Sequence, residues 1–340
     1  MKRVIACFLA VLLLMPLTAC RSEGGERYTS YTLDCFDTVT TLVGYADSEE
    51  EFEAVKEIVF STLRYYHGLF SIYDTVEGVN NLKTLNEVRS MTCDKALVEF
   101  LVYAKEMHEK TGGRMNIAMG SVLSLWHTAR EAGLLHPESA SLPDRAKLEE
   151  AAKHCDIASL VIDEESLTVR LTDDGCLLDV GALGKGYAVE MAARALEKAG
   201  ITGYIINAGG NVRTVGTRAD GSLWKVGVED PDNEGYYLDT LSIRDASLVT
   251  SGSYMRYYYV KGQKYHHIIS PDTLMPSEYF TSLTVLCRDS ALADALSTAL
   301  FTLSYEDGLL LLKAFPEVEV LWLFSDGEVK KTAGWDGFGD

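Results

Sequence analysis

Hydrophobic positions along the chain change between a spacing of three to four and strict alternation, and each change marks a new element. Residues 31–45 are rich in Thr, Val and aromatic side chains and predict a strand. Phe52, Val55, Val59 and Leu63 then share one face of a helix over residues 49–66. The polar stretch 71–86 reads as loop. A second helix is expected over residues 94–110, with Asp94 as N-cap, Leu97, Leu101 and Ala104 facing inward, and Gly112-Gly113 as the stop. Residues 160–171 alternate around Asp163-Glu164-Glu165-Ser166 as a hairpin, and residues 176–179 form a short apolar strand running into Gly181. A helix over 185–199 precedes a buried strand at 204–207, which Gly209-Gly210 ends. Strands near 224–228, 238–243, 254–260 and 282–286 follow in hairpin-like succession, then helices at 290–303 and 305–315 and an apolar strand at 318–324. With no internal repeat and no Pro-rich linker, this mixture predicts one α+β domain, a mixed and largely antiparallel sheet packed with helices.

The N-terminus has a different character. Lys2 and Arg3 precede an apolar run over 4–14 and then Leu17-Thr18-Ala19-Cys20, which reads as a signal peptide ending in a lipobox. That run is too short to cross a bilayer as a mature helix. The expected organisation is a signal peptide over 1–19, a lipidated N-terminus and tether over 20–29, and the folded domain over 30–335. Cleavage before Cys20 leaves 29 Lys+Arg against 50 Asp+Glu, a surface that argues against nucleic acid or anionic lipid as a partner. Cys35, Cys93, Cys155, Cys176 and Cys287 remain, an odd number without a CxxC pair. They signal neither a zinc site nor a disulfide framework, and read as buried thiols or a single bridge.

Three segments carry chemistry. Leu178-Asp179-Val180-Gly181-Ala182-Leu183-Gly184-Lys185-Gly186-Tyr187 runs from strand through a glycine-rich turn into a helix start. Glycines permit close backbone approach, the helix N-terminus favours an anion, and Lys185 adds positive charge, so the segment suits a diphosphate. It matches neither a Walker A loop nor the GxGxxG fingerprint. Asp294 and Thr298, at i and i+4, share a helix face and offer hard oxygen ligands suited to Mg²⁺. Alone they read first as the solvated face of an otherwise Ala/Leu-rich helix. Tyr265-His266-His267-Ile268-Ile269-Ser270-Pro271 places adjacent histidines on opposite faces of a strand, so at most one reaches a given pocket.

In this order the segments resemble the ApbE family of FAD:protein FMN transferases. The resemblance runs from Phe36-Asp37-Thr38 through Phe70-Ser71-Ile72-Tyr73, Thr111-Gly112-Gly113, a strand Ser121-Val122-Leu123 leading to Trp126, the 179–186 loop, Asn207-Ala208-Gly209-Gly210, Thr250-Ser251-Gly252 and His267-Ile268-Ile269 to Ala293-Asp294-Ala295-Leu296 with Thr298. It implies an ApbE-like, T-fold-like domain that takes FAD, using Mg²⁺, and attaches FMN to a Thr or Ser of exported or membrane redox proteins, releasing AMP. Tyr73, Arg114, Met115, Asn116, Asp179, Lys185 and Ile268 would then lie at the cofactor. The Ala182 carbonyl with Asp294 and Thr298 would hold the metal, and His267 and Lys185 are the candidate catalytic residues. Met115-Asn116, Ser270, Leu274 and Gly184 depart from the common family pattern. A hydrolase that cuts FAD with water, and a lipoprotein that only carries FAD, are the competing readings.

The lipobox predicts a protein anchored on the outer face of the cytoplasmic membrane. Cys20→Ser should abolish incorporation of labelled palmitate and move the protein to the soluble fraction; a variant that still labels would exclude Cys20 as the lipidated residue.

Overall fold

The computed structural model describes residues 25–338; the signal run, Cys20 and residues 21–24 of the tether lie outside them. In chain order the strands are β1 (Glu26–Thr32), β2 (Thr40–Ala46), β3 (Ser90–Thr92), β4 (Leu160–Asp163), β5 (Thr168–Leu171), β6 (Tyr204–Ala208), β7 (Asn211–Val215), β8 (Trp224–Glu229), β9 (Tyr237–Ile243), β10 (Ser247–Gly252), β11 (Tyr257–Val260), β12 (Gln263–His266), β13 (Phe280–Cys287), β14 (Glu319–Phe324) and β15 (Val329–Lys331). The helices are α1 (Glu49–Phe70), α2 (Leu82–Val88), α3 (Lys95–Lys110), α4 (Gly120–Leu135), α5 (Arg145–Ala152), α6 (Gly184–Lys198), α7 (Ser290–Phe301) and α8 (Tyr305–Leu312). Among the described residues no helix is long and apolar enough to cross a membrane.

An eight-stranded sheet in the order β1-β2-β6-β7-β10-β13-β14-β15, antiparallel at every step, forms the centre. Its side chains alternate between two apolar layers, as the period of a strand dictates. Leu42, Ile206, Val249, Val285 and Trp322 face the helices, whereas Val43, Ile205, Leu248, Leu286 and Leu321 face the β8–β9 ribbon and Trp335. Helices α1 and α6 pack side by side over the first half of the sheet, and α7 covers β10 and β13. Phe52, Val55, Val59 and Leu63 form the buried face of α1, as the spacing predicts, each contributing about 1.5–3 kcal/mol through removal from water. Asp94 caps α3, accepting from Ala96 N at 2.8 Å. A separate apolar cluster joins α4 and α5 to the β11–β12 hairpin.

Four local expectations are corrected. Residues 31–45 form two strands, broken where Phe36 (φ 58°) and Asp37 (φ 51°) adopt left-handed backbone. Residues 71–86 are not wholly loop, because Asn81 accepts from Thr84 N at 3.1 Å and starts α2. Residues 176–179 form no strand, only a single parallel bridge between Leu177 and Met119. Ser121-Val122-Leu123 lies in α4 rather than a strand, because Val122 and Trp126 are buried one helical turn apart. The five described cysteines are free thiols.

One buried ionic network ties α6 to β7 and α7. Glu190 on α6 (3% exposed) accepts from Arg213 Nε of β7 (4% exposed) at 3.1 Å, from Arg194 Nε at 2.9 Å and from the Ser290 N–H that opens α7 at 2.9 Å. Arg213 also pairs with Glu197 at 2.9 Å, and Arg194 with Asp289 at 2.7 Å. Glu190→Ala leaves a buried guanidinium short of a partner and should cost about 3 kcal/mol. The measurement is a urea titration: the midpoint should fall at constant slope, and an unmoved midpoint would show the network to be dispensable.

Candidate functional site

The site is built where the start of α6 meets the side of α7 and the β6–β7 turn. No side chain caps α6. Most of its early N–H groups are taken internally: Gly181 by Asp179 Oδ1 (2.9 Å), Leu183 and Gly184 by Val180 O (3.0 and 2.7 Å), and Gly186 by Asp294 Oδ2 (2.7 Å). The Gly186–Asp294 contact requires glycine, since a Cβ would fall inside contact distance of the Asp294 side chain and 2.5 Å from Ser290 O. Lys185 reaches the opposite way, donating to Ala208 O (3.2 Å), Gly209 O (3.0 Å) and Asn211 Oδ1 (2.7 Å). All three protons of its ammonium group are thus engaged by the β6–β7 turn. Gly209 (φ 52°) and Gly210 (φ 88°) give that hairpin the left-handed two-residue turn it needs.

Burial sets the electrostatics. It pushes Lys185 below the usual ammonium value, opposed by Asp294 and reinforced by Arg256. It likewise pushes Asp294 above the usual carboxylate range, opposed by Lys185, the Gly186 N–H and the nearby Asn211 amide. The Asn211 Nδ2 group is buried without a hydrogen-bond partner, and the Thr298 hydroxyl, one turn beyond Asp294 on α7, makes no hydrogen bond. Among the described residues no three His, Cys, Asp or Glu side chains cluster as a metal site, so a cation here depends on one carboxylate with neutral oxygens. That donor set suits Mg²⁺, which takes one or two protein groups and fills its shell from water and phosphate. Asp294 and Thr298 fit such an ion.

Tyr73 and Asp179 form the facing wall. Tyr73, 56% exposed, lies against His127 with ring centroids 5.1 Å apart, and His127 Nδ1 is 3.1 Å from Arg130 Nη2. Arg130 can only donate, so the His127 proton resides on Nε2. Burial raises Asp179, opposed by the Gly181 N–H, His127 and Arg256. Of the paired histidines, His266 is fully committed: Nε2 donates to Ser277 O at 2.6 Å and Nδ1 accepts from Ile268 N at 3.1 Å. His267 Nδ1 donates to Arg256 O at 3.2 Å, which leaves the Nε2 lone pair available. Burial, Arg256 and His266 push His267 down to about 3.

The other predicted residues are held by contacts of their own. Asn116 lines a cavity of about 330 Å³ with Met119, Cys155, Asp156, Pro271 and Leu274, and its amide bonds to Cys155 O and Ala118 N, each at 2.9 Å. Arg114 is ion-paired with Asp272. Met115 is fully buried in the main core, its N–H donating to Thr111 Oγ1 at 3.0 Å. Ile268 is buried under α7. The sequence reading missed His127, Arg130, Asn211 and Arg256. His127 and Arg130, at i and i+3, become visible as a pair only once α4 is recognised as a helix.

An imidazole held near 3 when folded and near 6.5 when unfolded binds more protons in the unfolded chain between those values. Stability is therefore lost as pH falls through that window. His267→Gln should flatten the acid slope, read as a smaller difference between urea midpoints at about pH 4 and about pH 7; an unchanged slope would show that His267 is not the group responsible.

Comparison with known proteins bears on the whole chain. The ApbE family model matches residues 29–322. A FAD:protein FMN transferase of Treponema pallidum (strain Nichols) is 31% identical over 299 residues, covering 84% of this chain and 81% of its own length. One from Haemophilus influenzae is 26% identical over 319 residues, covering 91% and 90%. The crystal structure of the ApbE protein from Thermotoga maritima superposes with a TM-score of 0.81 at 26% identity, covering 93% of this chain and 100% of that one. The flavin transferase ApbE from Vibrio cholerae shares the fold at 22% identity, with a TM-score of 0.73 over 90% of this chain and 96% of that one. By the reach of the family match and the identity to the Treponema relative, this chain belongs to the ApbE family.

Proposed function

We propose that the protein is an Mg²⁺-dependent FAD:protein FMN transferase, acting on exported or membrane proteins with FMN-binding domains from a lipid anchor on the extracytoplasmic face. The observation that carries this reading is the pairing of Asp294 and the unpartnered Thr298 hydroxyl on α7 against the start of α6, beside the orphaned Asn211 amide. Two relatives named FAD:protein FMN transferase, each aligned over more than four-fifths of this chain, support it. Asp294, Thr298 and the Ala182 carbonyl would hold Mg²⁺, which when bound neutralises charge on the diphosphate.

The protein's own groups supply the rest. Asn211 Nδ2, which lies beside the Asp294 carboxylate without a well-formed hydrogen bond, donates to a phosphate oxygen. Lys185 holds the β6–β7 turn against α6 so that Asn211 and Asp294 stay in register. His267 Nε2 accepts the proton of the acceptor's Thr or Ser hydroxyl, while the carbonyl of Arg256 fixes the ring through Nδ1. The hydroxyl oxygen forms its bond to the phosphorus of the FMN half, the bond from that phosphorus to the oxygen bridging it to AMP breaks, and AMP leaves with the electron pair. Tyr73, backed by His127, offers an aromatic face to a flavin or adenine ring.

The test mixes the purified protein, FAD and Mg²⁺ with a Thr-containing FMN-acceptor domain and records intact masses and released AMP. A mass gain of one FMN that Asp294→Ala reduces by about 10²-fold or more supports the transferase. AMP without a mass gain would make the protein a hydrolase, and bound but uncleaved FAD a carrier.

A further inference from the structure

The cleft holds several cations, and most are already committed. Lys185 gives its three protons to Ala208, Gly209 and Asn211. Arg130 is shared between His127 and Glu131, and Arg114 is paired with Asp272. The Arg256 side chain differs: it makes no hydrogen bond and no ion pair, although the chain carries 50 acidic residues against 31 basic ones.

Its backbone, by contrast, is fixed at both ends of the β10–β11 connection. Ser253 donates to Thr281 O through N (3.0 Å) and Oγ (3.2 Å), and Arg256 O accepts from His267 Nδ1 at 3.2 Å. From that anchored loop the charge of Arg256 acts on Tyr73, Asp179, Lys185 and His267, groups supplied by four separate segments around the cleft. A guanidinium with all five N–H donors vacant, on a loop bonded to His267 through its own carbonyl, presents the planar fork that matches phosphate oxygens.

We infer that Arg256 is the diphosphate-binding cation of this site, engaging the anionic bridge of a dinucleotide through its guanidinium while Lys185 serves as the structural cation behind it. The inference rests on the FAD reading above and adds to it which side chain recognises the substrate's charge. It also gives the His267–Arg256 contact a second purpose, since the bond that sets the histidine tautomer also sets the position of the loop bearing the clamp.

The experiment measures dissociation constants for FAD and for riboflavin, which lacks phosphate, by flavin fluorescence in EDTA so that FAD is not consumed. Arg256→Gln should weaken FAD binding about 10- to 100-fold, the value of one or two charge-assisted hydrogen bonds, and leave riboflavin within about twofold. Arg256→Lys should fall between, because it restores charge without the fork. Since the side chain makes no hydrogen bond or ion pair, both variants should melt with the wild type. A wild-type preference for FAD over riboflavin that survives in both variants would overturn the clamp alone, as would an equal loss for the two ligands. A wild-type protein that binds FAD no more tightly than riboflavin would overturn the FAD reading along with it.

Discussion

Helix α6 must approach α7 closely enough for the Gly186 N–H to reach Asp294 at 2.7 Å, and that contact sets Asp294 and Thr298 of α7 against the start of α6. Only glycine permits it, because a Cβ would meet both Asp294 and the Ser290 carbonyl. One turn further along α6, Glu190 accepts from the Ser290 N–H, so the two helices are joined by a backbone donor in each direction. Arg213 then extends the junction into β7 of the central sheet. The arrangement commits one Asp294 oxygen to the Gly186 N–H, sets the carboxylate beside the Asn211 amide, and holds Thr298 one turn further along α7.

Buried charge is balanced across the same junction. Lys185 and Asp294 are each driven toward neutrality by desolvation, and each is the principal group opposing that shift in the other. Neither can be removed without exposing its partner to the full cost of burial. A lysine so placed works as part of the frame: its protons hold the β6–β7 turn, and the turn presents Asn211. The positive charge that an anionic ligand requires must therefore come from elsewhere in the cleft, which gives the unpaired Arg256 its significance.

The elements legible in the sequence were those with one wet face or with a continuous apolar run, such as β14. Helices α1 and α3 present apolar stripes, and Asp94 caps α3 where the pattern placed it, so packing had only to agree with local preference. Strand β7 was missed for the opposite reason. All five of its residues are buried, yet Asn211, Arg213 and Thr214 are polar, and their burial is tolerable only through the partners supplied by Glu190, Lys185 and Ala246. Alternation cannot reveal a strand whose inward residues are polar. The three apolar or small residues opening α4 were too few to distinguish helix from strand, and with that helix went His127 and Arg130. Asp294, Thr298 and His267 stood out because their residue types carry the chemistry; Arg256 becomes informative only when its surroundings show what it lacks.

The departures from the family pattern can be understood in the same physical terms. An alanine methyl at Gly184 would lie 3.0 Å from Phe70 Cδ2 and 3.3 Å from Val180 Cγ2, so the aromatic packing of Phe70 against Phe100 and Tyr187 occupies the space. Ser270 is buried in a tight turn, its N–H donating to Met275 O and its carbonyl accepting from Leu274 N, each at 2.9 Å. A carboxylate there would need a cation brought to it, and Arg114 is instead paired with Asp272 at the surface. The acidic group thus stands two residues further along, in water, where its charge is cheap to keep and weak in effect. Ser270 is neutral, and a cation bound at Asp294 would complete its shell from neutral oxygens and the substrate's own phosphates. Metal and substrate would on that account bind with positive coupling, each supplying ligands or charge that the other requires.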